Sequence, residues 1–177
     1  FYRSPRIEMI HNWVDKTPEN FRFSLKASRQ ITHLKKLQKV EHDLEHLAFL
    51  AKQFRGKIGC LLYQLPPSLT KDIELLTSFL KVLPAGFCHV IEFRDQSWYS
   101  PDVYDLLSRY QVTLCIVSSG RLQPEIVVTS NLAYFRFHGL TGGYRYRYSD
   151  DELKRWAEII TPLKVEEAYI YFNNDYR

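Results

Sequence analysis

The chain has 177 residues, of which 45% are hydrophobic and 15% aromatic, and this composition is that of one globular domain with a sizeable core. It excludes a disordered or low-complexity protein, and no apolar run approaches the roughly 20 residues of a membrane span. The net charge of +4 permits anionic partners but falls short of the basic character of a dedicated nucleic-acid binder.

Six short apolar segments alternate along the chain with helical patterns. A first helix opens at Ser4 and Pro5 and carries Ile7, Ile10 and Val14 on one stripe. We predict that the apolar segments are strands, and they cover residues 21–27, 58–65, 88–94, 112–117, 133–138 and 168–173.

Amphipathic patterns predict a helix between most of these strands. The second helix is expected over residues 36–54, and the third carries Ile73, Leu76 and Phe79 on one face. Ser100 and Pro101 start the fourth, and residues 149–152 form a capping box for the fifth. Residues 118–131 show no helical pattern, only a β-like patch at residues 126–128.

Each predicted strand has one mixed polar face and one apolar face. The alternation of strands and helices implies a parallel sheet, either open or closed into a barrel. An open sheet covered by helices on both sides would be apolar on both faces, so the polar faces favour a barrel whose interior opens into a site. The polar faces carry Arg22, Ser24 and Lys26; Cys60, Leu62 and Gln64; Cys88, Val90, Glu92 and Arg94; and Tyr134, Arg136 and His138.

Several motifs resemble signatures of the YecE-like family, also called domain of unknown function seventy-two. They are FRFSLKAS at residues 21–28, LYQLPP at 62–67, IEFR at 91–94, RFHG at 136–139, YSDDEL at 148–153 and YFNND at 171–175. The resemblance covers essentially the whole chain as a single partial domain, residues 1–177. It implies an α/β fold of the TIM-like (β/α) barrel class with six of eight strands present, and it supplies no established activity.

Polar side chains follow the predicted strands where each strand ends. Because the C-terminal ends of parallel strands share one edge, we expect these side chains to line one cavity. Three cations against one carboxylate favour an anionic ligand, since arginine suits phosphate and carboxylate groups. A structural network of ion pairs is the alternative. The expected ligand-binding residues are Lys26, His33, Gln64, Arg94, Arg136, Asn173 and Asn174.

The leading hypothesis is binding of a small anionic, phosphorylated or nucleotide-like ligand, with no cofactor. A first alternative is a phosphoester hydrolase or isomerase, in which Glu92 or His138 would be the general acid or base. A second alternative is a non-catalytic nucleic-acid-binding or scaffold protein. The sequence does not indicate an oligomeric state.

Two aromatic positions have both a binding and a packing interpretation. Tyr144 belongs to a loop that interleaves tyrosines with arginines, which suits stacking on bases or sugars, or packing over the rim of the barrel. Trp98 would either form a wall of the site or pack against a helix.

Cysteine and histidine patterns do not predict a metal site. Cys60, Cys88 and Cys115 lie within predicted strands, where cysteine behaves as a small buried hydrophobe, and a reducing cytoplasm is the expected location. His42 and His46 match an H-x-x-E-H string but fall on the solvent face of their helix. A dinuclear site at the strand ends is disfavoured by the cations there.

Overall fold

The computed structural model describes residues 5–122, 125–141 and 145–173. The chain divides into two compact units, Phe1–Asp95 and Gln96–Arg177. Each unit contains three strands that pair in parallel. A helix lies between consecutive strands of each unit except between Thr113–Ser119 and Leu132–Gly139, where the described residues form no helix. The alternation predicted from the sequence, with no helical pattern over residues 118–131, is thus confirmed.

The first unit contains three α-helices and three strands. A single π-helical turn, Gln30–Leu34, follows the first strand. The other elements are α1 (Ile7–Asp15), β1 (Phe23–Lys26), α2 (Glu41–Lys52), β2 (Ile58–Gln64), α3 (Ile73–Lys81) and β3 (Cys88–Glu92).

The predicted helix over residues 36–54 is wrong at its start. Lys36, Leu37 and Lys39 have φ values of 46°, 70° and 50°, and α2 begins only at Glu41. Left-handed residues cannot continue a right-handed helix, so the chain turns before the helix starts. Leu37 and Val40 are nevertheless buried, which explains why the apolar spacing extended the prediction.

One buried cluster packs α1 and α2 against β1. Ile10 and Val14 of α1 contact Leu50 and Phe54, and Phe23 of β1 packs on the same cluster. The apolar stripe of α1 thus packs against the apolar face of β1, as expected for amphipathic elements. Burial of these side chains fixes α1 over the β1 end of the sheet.

A buried lysine closes the C-terminal end of α1. Lys57 is only 5% exposed, and its Nζ donates to the carbonyls of Val14 at 3.0 Å and Thr17 at 2.8 Å. A helix C-terminus carries unpaired carbonyls and partial negative charge, so an ammonium group is favourable there. Lys57, the residue just before β2, is therefore hydrogen-bonded directly to the C-terminal end of α1.

A histidine on the helix-facing side of β3 is held by two neighbours. His89 Nε2 lies 2.9 Å from the Pro84 carbonyl, and its Nδ1 lies 3.2 Å from the Tyr63 hydroxyl. The carbonyl can only accept, so Nε2 carries the proton and Nδ1 accepts from Tyr63. Burial lowers the pKa of His89, and the backbone hydrogen bond to Pro84 opposes that shift.

The second unit contains two α-helices and three strands. It opens with a 3₁₀ turn at Gln96–Trp98. The remaining elements are α4 (Pro101–Arg109), β4 (Thr113–Ser119), β5 (Leu132–Gly139), α5 (Asp150–Ile160) and β6 (Glu167–Phe172). Pro101 stands in the first turn of α4, and the capping box of α5 forms between Ser149 and Glu152, as predicted.

The β-like patch at residues 126–128 does not form a strand. Ile126 and Val128 are 38% and 37% exposed, and the segment is fixed instead by Thr129. Thr129 Oγ1 donates to the Val112 carbonyl at 2.6 Å and accepts from the Leu114 amide at 2.8 Å. The segment is attached beside the start of β4 through this buried hydroxyl and through the contact of 2.7 Å between the hydroxyls of Ser130 and Thr113.

Two further expectations concern cysteine and histidine. Cys60 and Cys115 are fully buried, as expected, but Cys88 is exposed because it is the first residue of β3. The expectation for Cys88 is therefore wrong. His42 and His46 are exposed on α2, which confirms that the H-x-x-E-H string faces solvent.

Candidate functional site

The strand register places the predicted polar residues of the first unit on one face. Lys26 is level with Leu62 on β2, and Gln64 is level with Glu92 on β3. Because side chains alternate along a strand, Ser24 shares the face of Lys26. The division into two faces is thus confirmed for β1, β2 and β3.

Lys26 and Gln64 form a hydrogen bond across the ends of β1 and β2. Lys26 Nζ donates to Gln64 Oε1 at 2.9 Å. The lysine is exposed and Gln64 is half-buried, so the ammonium group remains at the surface of the C-terminal edge. The acceptor is a neutral amide, so this hydrogen bond orients the ammonium group but is not an ion pair.

Glu92 and Arg94 form an ion pair at the end of β3. Arg94 Nε lies 2.5 Å from Glu92 Oε1, and the glutamate side chain has no solvent exposure while the arginine retains 23%. The contact is an ion pair rather than an aligned hydrogen bond. A buried carboxylate is expensive unless a cation accompanies it, so Arg94 compensates Glu92. This pair is of the kind expected in a structural network of ion pairs, which was the alternative to an anion-binding site.

Positive charge is concentrated around His33 after β1. Burial lowers the pKa of His33, and the charges of Arg29 and then Lys26 lower it further. Arg29 precedes the π-helical turn that carries His33, and His33 Nδ1 lies 2.8 Å from Thr32 Oγ1. The part of this shift that Arg29 and Lys26 cause reflects positive charge, and positive charge attracts an anion.

In the second unit, Arg136 and His138 share a face of β5. Arg136 is level with Val117 on β4 and Tyr171 on β6. His138 Nδ1 lies 3.1 Å from Asn173 Nδ2. The opposite face carries Phe135 and Phe137, which pack on α5 through Trp156. The predicted faces are confirmed for β5 as well.

A tyrosine fixes the backbone immediately after His138. The Gly139 amide donates to Tyr148 Oη at 3.0 Å, and that hydroxyl donates to Ser118 Oγ at 2.9 Å. Tyr148 is 7% exposed and packs edge-on against Phe137. The ends of β4 and β5 are therefore joined through one phenol group.

The structure favours packing rather than ligand binding for Trp98 and for the described part of the tyrosine–arginine loop. Trp98 has no solvent exposure, which fits packing rather than a wall of an open site. In the described part of the tyrosine–arginine loop, Tyr146 donates a short hydrogen bond to Glu152, and Arg145 and Arg147 are exposed. Tyr144 and Asn174 lie outside the described residues.

Two supporting residues were not among the predicted ones. Arg29 precedes His33 by four residues, a helical spacing that could have indicated contact, but the sequence favours a helix only from residue 36. Tyr148 was recognised only as part of the loop. Its partners, Ser118 and Gly139, are distant in sequence, so no local pattern indicates them.

Other surfaces of the described residues offer less to an anion. A groove of about 370 Å³ between the starts of α2 and α3 is lined by three carboxylates, Glu41, Asp72 and Glu74, against one cation, Lys39, so its charge disfavours anions. Among the residues that the structure describes, no cluster of three metal-ligating side chains occurs. No described helix is both long and apolar enough to span a membrane.

Comparison with known proteins supplies the family. A family model described as "Protein of unknown function DUF72" matches residues 1–177. The chain belongs to the DUF72 family. It is 24% identical to the UPF0759 protein YunF of Bacillus subtilis over 99% of this chain and 74% of that protein. It is 25% identical to the UPF0759 protein YecE of Escherichia coli over 56% of this chain and 37% of that protein.

Solved structures of DUF72 proteins share the fold. One from Thermotoga maritima matches with a TM-score of 0.89 and 28% identity over 99% of this chain and 75% of that chain. One from Enterococcus faecalis matches with a TM-score of 0.85 and 23% identity over 98% and 75% of the two chains, and shows the fold alone. The predicted family and the α/β fold of an incomplete TIM-like barrel are confirmed. DUF72 is described as a family of unknown function.

Proposed function

We propose that this DUF72 protein binds a small anionic ligand, of the phosphorylated or nucleotide-like class, at the C-terminal ends of its strands. In the first unit, Lys26, Arg29 and His33 would receive the anionic group. The observation that carries the proposal is the position of Arg29 and Lys26 near His33: burial is the first cause that lowers the pKa of His33, and the charges of Arg29 and then Lys26 lower it further.

The distribution of charge on β1 to β3 supports this assignment. Glu92, the one carboxylate on the polar face, is already matched by Arg94 at 2.5 Å. Lys26 is oriented by a neutral amide, and Arg29 is exposed. Charge-assisted hydrogen bonds from such groups to a phosphate are stronger than neutral ones.

A hydrolase or isomerase acting on the same ligand is the second candidate. Complete burial and pairing make Glu92 a poor general base in the unliganded protein, since its charge is committed to Arg94. His138 is the better candidate for proton transfer. We also propose a cytoplasmic location, which the three cysteine thiols support.

Phosphate titration of His33 tests the proposal directly. A bound phosphate would offset the charges of Lys26 and Arg29, so the pKa of His33 measured by NMR should rise toward its ordinary value with phosphate. Chloride at the same ionic strength should leave it unchanged. Lys26→Met and Arg29→Met should each weaken phosphate binding by about tenfold, the equivalent of about 1.4 kcal/mol.

Arg109→Met is the matched control, because Arg109 is an exposed arginine at the end of α4. It should leave phosphate affinity unchanged. A pKa of His33 that is indifferent to phosphate, or equal losses in all three variants, would show that the first unit does not bind anions specifically. Turnover assays with phosphomonoesters then separate binding from hydrolysis.

A further inference from the structure

Two of the three cysteines lie side by side near the starts of β2 and β3. The register between these strands pairs Cys60 with Cys88, and paired residues of parallel strands carry their side chains on the same face of the sheet. Neighbouring strands are about 4.8 Å apart, which is inside the Cα separation of about 4.4–6.8 Å that a disulfide spans. Both residues are thiols in the structure. Their positions therefore allow a bond between the two sulfur atoms.

The two thiols differ in their access to solvent. Cys88 is exposed because it is the first residue of β3, whereas Cys60 has no solvent exposure. The susceptibility of a thiol to oxidation follows its exposure, so a small oxidant in solution reaches Cys88 before Cys60. An exposed thiol beside a second, buried thiol is the arrangement of a cysteine that is oxidised first and a cysteine that resolves it.

We propose that Cys60 and Cys88 form a reversible redox site, which a peroxide oxidises to a disulfide. The Cys88 thiolate attacks one oxygen of hydrogen peroxide, so that an S–O bond forms, the O–O bond breaks and the leaving hydroxide is protonated to water. The Cys60 thiolate then attacks the sulfur of this sulfenic acid, the S–S bond forms, and the S–O bond breaks to release a second hydroxide. The two thiol protons convert both hydroxides to water. Two thiols are thus oxidised while one peroxide is reduced to two waters.

The position of the pair favours a disulfide that is readily reduced. Bridged Cβ atoms lie about 3.8 Å apart, so the bond must draw the two strands together by about 1 Å at this point. The turn before Cys88 can follow this movement because Ala85 and Gly86 are exposed, whereas His89 is held by its hydrogen bond to the Pro84 carbonyl. Strain at one strand end makes a disulfide easier to reduce, so thiol reductants should restore the pair. This inference goes beyond the proposed function, because it uses none of the residues assigned to the anion.

Peptide mapping after mild oxidation tests the proposal. The reduced chain is treated with hydrogen peroxide under native conditions, and the remaining thiols are alkylated in denaturant before digestion. We expect a cross-linked pair of peptides that joins Cys60 to Cys88, and we expect dithiothreitol to return both residues to thiols. Cys115 is the internal control, because it is buried on β4 beside Tyr134 and should stay a thiol while the chain is folded.

Three variants separate the roles of the cysteines. Cys60→Ser should leave Cys88 as a sulfenic acid that dimedone labels, because the resolving thiol is gone. Cys88→Ser should abolish both the disulfide and the labelling, and Cys115→Ser, the matched control, should form the disulfide as the parent does. Mapping of the parent decides the proposal even where a variant fails to fold. Three intact thiols after treatment, a Cys60 that stays alkylatable once Cys88 is oxidised, or a disulfide that joins two chains would each overturn it.

Discussion

Replacing Arg94 with methionine tests whether the ion pair at the end of β3 is structural. Methionine keeps much of the arginine's aliphatic volume but removes its charge. Glu92 has no solvent exposure, so the variant removes the cation that lies 2.5 Å from a buried carboxylate. We expect a clear loss of stability in the absence of any ligand, because burying a charge without its partner is costly.

The size of this loss follows from the burial of the two partners. Breaking a fully buried ion pair by deleting one partner costs about 3–5 kcal/mol. Because 23% of the Arg94 side chain is exposed, water already screens part of the interaction, and we expect about 2–4 kcal/mol. Glu92→Gln should cost less, since a partly exposed guanidinium can regain hydration whereas a buried carboxylate cannot.

Urea unfolding of the parent, the two single variants and the double variant provides the measurement. The double variant should be more stable than Arg94→Met alone, because it no longer buries a carboxylate from which the Arg94 cation has been removed. Lys26→Met is the control, because Lys26 is exposed and bonded to a neutral amide, and it should cost less than about 1 kcal/mol. A cost below about 1 kcal/mol for Arg94→Met, or no recovery in the double variant, would refute the ion-pair argument.

Two further predictions concern other parts of the fold. Gly120→Ala would place a Cβ 1.8 Å from the Leu140 carbonyl oxygen, so this segment must shift and the chain should lose about 1–3 kcal/mol in urea unfolding. Gly86→Ala, which meets open space at a φ of 84°, should cost only about 1 kcal/mol. The lowered pKa of His89 means that the unfolded chain binds a proton more readily than the folded one, so stability should fall as pH drops below about 6.5. His89→Gln should reduce the loss of stability measured below that pH. An unchanged slope of the free energy of unfolding against pH would contradict the assignment of this loss to His89.

The sequence could predict which side chains share a face of a strand, because the alternation that decides it is local. A strand alternates its side chains with a period of two, so the sequence of β5 alone separates Arg136 and His138 from Phe135 and Phe137. Pairing with β4 and β6 then preserves that division. The capping box at Ser149 was predictable for the same reason, since its partners lie three residues apart.

The contacts that orient the candidate residues were not predictable, because they join distant segments. The bond between Lys26 and Gln64 spans 38 residues, and that between His138 and Asn173 spans 35. Periodicity fixes which face a side chain occupies but not which neighbour it meets. The start of α2 was misplaced for a related reason, since Leu37 is buried from a turn just as it would be from a helix.

These contacts change what the polar residues can do. On the sequence alone, Glu92 and Arg94 are a candidate base and a candidate anion receptor, yet the 2.5 Å contact makes each the partner of the other. Near His33, the charges of Arg29 and Lys26 add to burial in lowering the pKa of the imidazole. In the second unit, the contact of 3.1 Å between Asn173 Nδ2 and His138 Nδ1 links the end of β5 to the residue after β6. Both units thus place basic and hydrogen-bonding side chains at the C-terminal ends of their strands, where we propose that an oxyanion binds.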